Sequence, residues 1–286
     1  MRLVLDCNFL CYRSLHTLEN LAFEERKVGV VFGFIKQMIS LAEKFKTNQF
    51  IFCWDSRQSY RKLISPTYKG NRQRHFSPEE QETYDLGYAQ FDELRQEVLP
   101  YLGFRNIFHQ TGYEADDLIA WVVWRFPDDT VIVSSDSDLF QLLHNDRFNS
   151  IKIWNFKTIN DEGRFSKDWF GLKPKKWVEV KSIAGCNSDN VAGVPGVGEI
   201  TAAKYVAGLI DSGKKVEDIR KSKTLIDENR DLVALPFPGR KKINITEIYE
   251  DEISPDKFQV TFGQYGFRSL LYEDRMAKWK KAFFGG

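Results

Sequence analysis

The chain has 286 residues, 42% hydrophobic and 14% aromatic, with 41 basic and 40 acidic side chains and a formal net charge of +1. This composition excludes a disordered chain and leaves room for one large domain or two modest ones; a near-zero total says nothing about a polyanionic partner, because basic and acidic patches cancel in the sum. Four cysteines, Cys7, Cys11, Cys53 and Cys186, form no C-x-x-C pair, which reads as a reducing compartment rather than a disulfide framework. Met1 runs almost at once into Leu3-Val4-Leu5, so no signal peptide is expected, and no apolar stretch approaches membrane length.

In chain order, the first apolar run, Leu3-Val4-Leu5, ends in Asp6. Residues 28–45 then carry apolar side chains at the spacing of a helix that covers a sheet. A second run, Phe50-Ile51-Phe52-Cys53-Trp54, ends in Asp55. Residues 56–76 follow with Arg57, Arg61, Lys62, Lys69, Arg72 and Arg74 and no acid, whereas residues 77–97 hold seven acids against Arg95 alone. The break at Ser77-Pro78-Glu79-Glu80 predicts a helix start, and the helix is expected to reach about Val98. A third run, Val131-Ile132-Val133, leads through Ser134 and Ser135 to Asp136 and Asp138, and residues 151–160 read as a strand followed by a turn at 161–163. From about Phe165 helical, lysine-rich patterns dominate, which places a soft boundary near 160–166. Short buried strands alternating with helices point to a mostly parallel α/β sheet, whose ligands gather at the carboxyl ends of the strands. Three strands ending in acids thus imply one acidic crevice.

Three segments carry chemistry. In 113-YEADDLIAWVVWRF-126, Glu114, Asp116 and Asp117 fall in the first turn of a predicted helix. Alone they are equally well read as capping and dipole partners. Together with the strand-end acids they exceed what capping needs, since converging carboxylates repel unless a cation neutralises them, and hard oxygen donors suit Mg²⁺ or Mn²⁺. Two such ions can activate a water and stabilise a leaving oxygen in phosphoryl hydrolysis. In 183-IAGCNSDNVAGVPGVGEITAAKYV-206, Gly196-Val197-Gly198 before a helix lets backbone N–H groups approach a phosphate, although a plain tight turn is the more frequent meaning of such glycines. In 66-PTYKGNRQR-74, Lys69, Arg72 and Arg74 beside Tyr68 combine phosphate contacts with a stacking surface; a solvated basic face is the alternative. The four histidines show no ligand spacing, and the clusters at Lys214-Lys215, Arg240-Lys241-Lys242 and Lys278-Lys280-Lys281 read as solvated surface.

Taken in order, LVLDCNFLCYR at 3–13, WDS at 54–56, TYKGNR at 67–72, YEADD at 113–117, SSDSDL at 134–139 and SDNVAGVPGVG at 188–198 resemble the flap endonuclease and 5′–3′ exonuclease family. That family includes phage 5′ nucleases and the N-terminal nuclease domain of bacterial DNA polymerase I. The resemblance covers roughly the first 210 residues. It implies an α/β nuclease domain (PIN-like, with a mostly parallel central sheet) over 1–163, crossed by a helical arch at about 60–98. It further implies a helical DNA-binding region over 164–286, with a helix–three-turn–helix at about 174–208. By position, Asp6, Asp55, Glu114 and Asp116 resemble one metal cluster, with Asp117 beside it, and Asp136, Asp138 and Asp189 a second. Arg13, Lys69 and Arg72 resemble the basic residues that grip the phosphate to be cut, and Tyr68 a residue that stacks on an unpaired base. Arg74, Gly193, Gly196, Gly198 and Lys204 complete the implied DNA-binding set.

The implied activity is metal-dependent 5′–3′ exonuclease and 5′-flap endonuclease cleavage with two Mg²⁺ ions, Mn²⁺ substituting, and a K⁺ ion at the helix–three-turn–helix. The implied partners are DNA with 5′ flaps, nicks or 5′ ends and RNA–DNA hybrids, met as a monomer in the cytoplasm of a bacterial or phage-infected cell. One position departs from the pattern. Where the family reads Gly-Asp-x-x-Asp-Asn, this chain has Gly185-Cys186-Asn187-Ser188-Asp189-Asn190, so a soft sulfur replaces one acid. Activity is expected to survive this change, with a higher Mg²⁺ requirement or a preference for Mn²⁺. A structure-specific DNA-binding protein that has lost cleavage, and an acidic-site RNase, are the alternatives.

Overall fold

The computed structural model describes residues 1–72, 77–146, 148–238 and 242–285, with the side chains of residues 72, 79 and 80 excepted. In chain order the main elements are β1 (Arg2–Asp6), α1 (Cys7–Leu18), α2 (Gly29–Phe45), β2 (Phe50–Trp54), α3 (Pro78–Glu93), α4 (Ala115–Arg125), β3 (Thr130–Val133), β4 (Ser150–Trp154), α5 (Trp177–Ala184), α6 (Glu199–Val206), α7 (Lys214–Lys221), α8 (Lys223–Val233), α9 (Pro255–Gln264) and α10 (Glu273–Phe284). No helix among the described residues is long and apolar enough to cross a membrane. All three acid-ended runs are strands, as their unbroken apolar character predicts.

The chain separates into two compact units, each built from distant stretches. One comprises Met1–Trp54, His75–Phe108 and Thr246–Gly286; the other comprises Asp55–Arg74 and His109–Ile245. These units interleave along the chain, and the stretch of about 60–98 contributes to both. The reason lies in the C-terminal residues, whose aromatic side chains complete the core of the N-terminal stretch instead of extending a helical tail.

In the first unit β1 pairs in parallel with β2, with Leu3 opposite Phe50 and Asp6 opposite Cys53. Both strands are buried at their centres, as parallel strands covered on both faces must be. Helix α2 turns Val30, Val31, Phe34, Ile35, Met38, Leu41 and Ala42 inward, the 3.6-residue stripe read from the sequence. It packs closely on α1 because residue 33 is glycine: a Cβ there would lie 2.5 Å from Ser14 Oγ. Helix α3 begins at Pro78 as predicted and continues through a π-helical stretch, Leu94–Val98, into a last turn at Leu99–Leu102.

The C-terminal helices supply the unit's aromatic cluster. Trp279 is fully buried, stacks on Phe258 at 5.6 Å and donates its indole N–H to Leu270 O at 2.9 Å, while Phe283 packs against Phe50 at 5.7 Å. Trp279 is thus a core residue, despite the lysines around it in sequence.

In the second unit β3 pairs in parallel with β4, with Thr130 opposite Ile151, and short antiparallel strands at His144–Asn145 and Ile159–Asn160 flank β4. Helices α5, α6, α7 and α8 follow, with the glycine-rich turn between α5 and α6.

Truncating Trp279 to alanine removes a large buried ring and its hydrogen bond, and is expected to lower unfolding free energy by about 3–5 kcal/mol. Urea denaturation checks this; an unchanged midpoint would show that the C-terminal helices are not part of the cooperative core.

Candidate active site

The acids of the second unit converge because three different local rules place them. Asp55, just past β2, accepts the backbone N–H of Ala115 at 2.8 Å and so ties its loop to the first turn of α4. Glu114 occupies the N-cap position of α4 with extended backbone, and the Asp117 carboxylate accepts the Glu114 N–H at 3.0 Å, which is the reciprocal arm of a capping box. Asp136 caps the 3₁₀ turn Ser137–Leu142 by accepting the Asp138 N–H at 2.8 Å.

Glu114, Asp116, Asp138, Cys186 and Asp189 line one small polar cavity of about 10 Å³, together with Arg61 and Tyr68. That volume is about the room of one water or one ion. Members of both expected metal clusters therefore share a cavity. Asp55 and Asp136 serve the same elements through backbone hydrogen bonds. Asp6 belongs to the other unit, where it caps α1 by accepting the Phe9 N–H at 3.0 Å.

Asp117, expected beside the metal ligands, is placed otherwise. It is completely buried, and Arg61 grips both its oxygens, at 2.7 and 2.8 Å. The backbone N–H groups of Glu114 and Phe237 also donate to it, at 3.0 and 2.7 Å. Four donors on two oxygens leave little capacity for an ion. Consecutive residues on a helix point about 100° apart, so if Asp116 faces the cavity, Asp117 cannot. Arg61 is itself buried and donates Nε–H to Leu232 O at 2.8 Å. Burial pushes its guanidinium pKa down, but the charges of Asp117 and Glu114 outweigh burial and raise it.

Tyr68 is also corrected. Its ring is buried and cannot stack on a base; its hydroxyl instead lies 3.0 Å from Glu114 Oε2 and 3.1 Å from Asp189 Oδ2, donating toward the acids. Burial and the neighbouring Glu114 charge drive its pKa far up, which keeps it a neutral donor. Lys69 places Nζ 2.8 Å from Glu114 Oε2 and 4.0 Å from Asp189 Oδ1. Burial raises the Glu114 pKa, but Lys69 and then Arg61 more than offset it, so the carboxyl group sits below its ordinary value and stays ionised. Arg74 and the Arg72 side chain lie outside the described residues. Arg13, in the first unit, is exposed, donates to Gln37 Oε1 at 3.1 Å and lies over the Phe9 ring.

The loop bearing Tyr68 and Lys69 is fastened to the segment bearing Asp189. Lys69 N–H donates to Asp189 O at 2.8 Å, Asn190 Nδ2 to Thr67 O at 2.8 Å and Asn71 Nδ2 to Asn187 O at 2.7 Å. Gly193 has no room for a side chain, since a Cβ would lie 2.0 Å from Ala184 O; its role is close backbone approach within the turn. Gly196, at φ 73°, and Gly198, which precedes α6, face open space. Lys204 on α6 holds its ammonium over the Phe170 ring.

Asp138, Cys186 and Asp189 each offer a donor atom, all within 4.8 Å of one another. Burial and the neighbouring Asp136 push Asp138 up to about 6, against the opposing pull of Lys181. Lys181 was not among the residues singled out from the sequence. It is buried on α5, with Nζ 2.8 Å from Asp138 Oδ1 and 2.9 Å from Glu199 Oε1. The signal was a lysine at an inward position, between Trp177, Val180 and Ala184 at helical spacing.

Removing Arg61 leaves the Asp117 charge buried without its partner, so Arg61→Ala is expected to cost about 3–5 kcal/mol of stability. Replacing both by apolar residues, as in Arg61→Met with Asp117→Leu, removes the unpaired charge and is expected to recover only part of that loss, because the Glu114 and Phe237 N–H groups and Leu232 O lose their buried partners. Chemical denaturation of the three variants checks it, and a cost under about 1 kcal/mol for Arg61→Ala would contradict a dry, buried pair.

A family model described as 5′-3′ exonuclease, N-terminal resolvase-like domain, matches residues 1–171. DNA polymerase I of Mycobacterium leprae (strain TN) is 30% identical over 257 residues, covering 82% of this chain and 27% of that protein. A 5′-3′ exonuclease of Bacillus subtilis (strain 168) is 35% identical over 180 residues, 61% of this chain and 57% of that protein. The bacteriophage T5 D15 flap endonuclease, solved as a pseudo-enzyme–product complex with DNA and metal ions, superposes with a TM-score of 0.68 at 19% identity, covering 98% of this chain and 97% of that one. At that identity the likeness is one of fold: mixed α/β with mostly parallel strand pairing and many helices. The chain spans about a quarter of the polymerase relatives, as their 27% coverage states.

Proposed function

Because the chain belongs to the 5′-3′ exonuclease family through its N-terminal resolvase-like domain, we propose that it is a divalent-metal-dependent, structure-specific 5′ nuclease. Its substrates are DNA 5′ ends and 5′ flaps, hydrolysed to fragments bearing 5′-phosphates. The observation that carries this reading is the single cavity where Glu114, Asp116, Asp138 and Asp189 meet beside Lys69. Uncompensated, such a set of carboxylates repels itself. Burial and then the charge of Asp136 push Asp138 up to about 6, with Asp189 adding less, and a cation entering the cavity would favour its ionised form.

The donor set of Glu114 and Asp116 fits a hard ion, Mg²⁺ by first choice and Mn²⁺ as its substitute. A bound ion would supply Lewis acidity toward the phosphodiester and lower the pKa of the attacking water. The chain's own residues do the positioning. Tyr68, donating to Glu114 and Asp189, fixes the two carboxylates relative to each other. Arg61 and Asp117 anchor the loop that carries Tyr68, and Lys69 offers a positive charge to the phosphate about to be cut. Asp55 holds the start of α4 in register. The exposed backbone at Gly196 and Gly198, with Lys204 nearby on α6, serves as a sequence-independent grip on a duplex phosphate run, and the K⁺ ion expected at this turn belongs to the same grip. Arg13, Arg72 and Arg74 remain assigned to the phosphate-gripping set.

The test is a labelled 5′-flap DNA with a matched 3′-flap control, in Mg²⁺, Mn²⁺ or EDTA. Cutting at the 5′ junction in either metal and none in EDTA is expected, with Asp116→Ala slower by about 100-fold or more. Tight binding without cleavage in both metals would instead favour a DNA-binding protein that has lost catalysis, the reading to which Cys186 lends some weight. A second measurement addresses Lys69: Lys69→Ala is expected to lower turnover far more than duplex affinity, and equal losses would remove its role at the phosphate.

A further inference from the structure

One side of the cavity does not match the hard-ion chemistry of the other. Asp138, Cys186 and Asp189 present two carboxylate oxygens and one sulfur, close enough for one ion to bridge after small rotamer adjustments. Asp138 Oδ1 is fully buried and accepts no well-directed hydrogen bond, although the Lys181 ammonium pairs with it at 2.8 Å. It is therefore a buried donor still lacking a directional partner, and it lines the cavity with the other two.

Charge and donor type select the ion. Two carboxylates and a thiolate, set against the one ammonium of Lys181, leave a formal charge of minus two, which a divalent cation cancels. Mg²⁺ gains little from a sulfur donor and favours an all-oxygen shell, which Cys186 cannot complete. Zn²⁺ and similar ions accept mixed sulfur and oxygen donors in a four-coordinate arrangement, three from protein and one left open.

We propose that Asp138, Cys186 and Asp189 form a thiophilic divalent-metal site that takes Zn²⁺, or Co²⁺ and Cd²⁺ as probes, in preference to Mg²⁺. This rests on the proposed reading of the cavity as a metal centre and specifies which ion its second position accepts. On binding, the Cys186 thiol releases its proton to solvent and the sulfur donates a lone pair to the ion; nothing is oxidised or reduced. Glu114 and Asp116, on the other side of the cavity, remain the harder, all-oxygen donor pair.

The experiment titrates the full chain, freed of metal, with Co²⁺ or Cd²⁺ in a large excess of Mg²⁺. A thiolate-to-metal charge-transfer band is expected to saturate near one equivalent, to vanish in Cys186→Ser and to persist in Asp116→Ala. Cys186→Asp is expected to abolish the band and to raise Mg²⁺ affinity about tenfold. The unmodified chain gives an independent check. Cys7, Cys11 and Cys53 are completely buried and Cys186 is 8% exposed, so alkylation of the folded protein reports on Cys186. Zn²⁺ is expected to protect it, and millimolar Mg²⁺ is not. No band, a band that survives Cys186→Ser, or equal protection by Mg²⁺ would each overturn the proposal. Flap cleavage is scored separately: cleavage without the band defeats only the thiophilic site, and the band without cleavage defeats only the nuclease.

Discussion

The second unit depends on one buried ion pair. Arg61 and Asp117 meet through two hydrogen bonds in a region closed to water, and each also binds backbone on the segment 232–237: Arg61 reaches Leu232 O, and Phe237 N–H reaches Asp117. Burying two charges is costly, and such a pair gives little net stability compared with apolar residues of similar volume. What it fixes is geometry. Three stretches that are distant in sequence, around residues 61, 117 and 235, can be joined in only one register if both forks are to be satisfied. The loop that follows Arg61 carries Tyr68 and Lys69, so the pair determines where these two side chains meet Glu114 and Asp189.

The same logic of fixed cations runs through the cavity. Lys69 is paired with Glu114 and Lys181 with Asp138, so two of the converging carboxylates already have an ammonium within hydrogen-bonding range. These partial neutralisations let the acids crowd together without an ion. Asp138 nevertheless sits up at about 6, raised first by burial and then by Asp136 against the pull of Lys181. An ion that binds only the folded arrangement would therefore add stability as well as reactivity, by mass action on the folded state. Tyr68 contributes differently. Its neutral hydroxyl bridges two carboxylates and adds no charge, and so holds them apart at a set distance without competing for an ion.

The strand ends and the start of α4 were legible in the sequence because each obeys a local rule. Unbroken apolar runs made β1, β2 and β3, and acids after extended backbone made the caps. The residues misread are those whose role is set by what covers them. Tyr68 stands among Lys69, Arg72 and Arg74, and a basic stretch reads as surface; its burial comes from packing with Cys186, Val191 and Leu232, which no local pattern announces. Trp279 stands among lysines that read as surface, yet Met276, Trp279 and Phe283 repeat at helical spacing, and Trp279 and Phe283 are buried. Asp117 was grouped with Asp116 by adjacency, whereas helix geometry turns neighbours to different faces. The interleaving of the two units was illegible for a related reason: long-range pairing of residues 246–286 with the N-terminal stretch leaves no mark on either segment alone.

Cys186 stands where the family pattern leads one to expect an acid, and a thiol there carries a different electrostatic cost. A third carboxylate beside Asp138 and Asp189 would add charge to a site where burial already penalises it, and would need a strongly bound hard ion to balance it. A thiol at that position is neutral until a metal displaces its proton, so the metal-free protein carries less repulsion. It lies in the short 185–192 hairpin, with Sγ 3.1 Å from Ser188 Oγ, and lines the cavity. The cost falls on ion choice instead of on folding: a softer donor loosens the grip on Mg²⁺ and strengthens the one on ions that accept sulfur. The backbone there is held in place by Gly185 and Gly193, whose close approach excludes any larger residue. The donor at position 186 can therefore change its element without moving the frame that presents it.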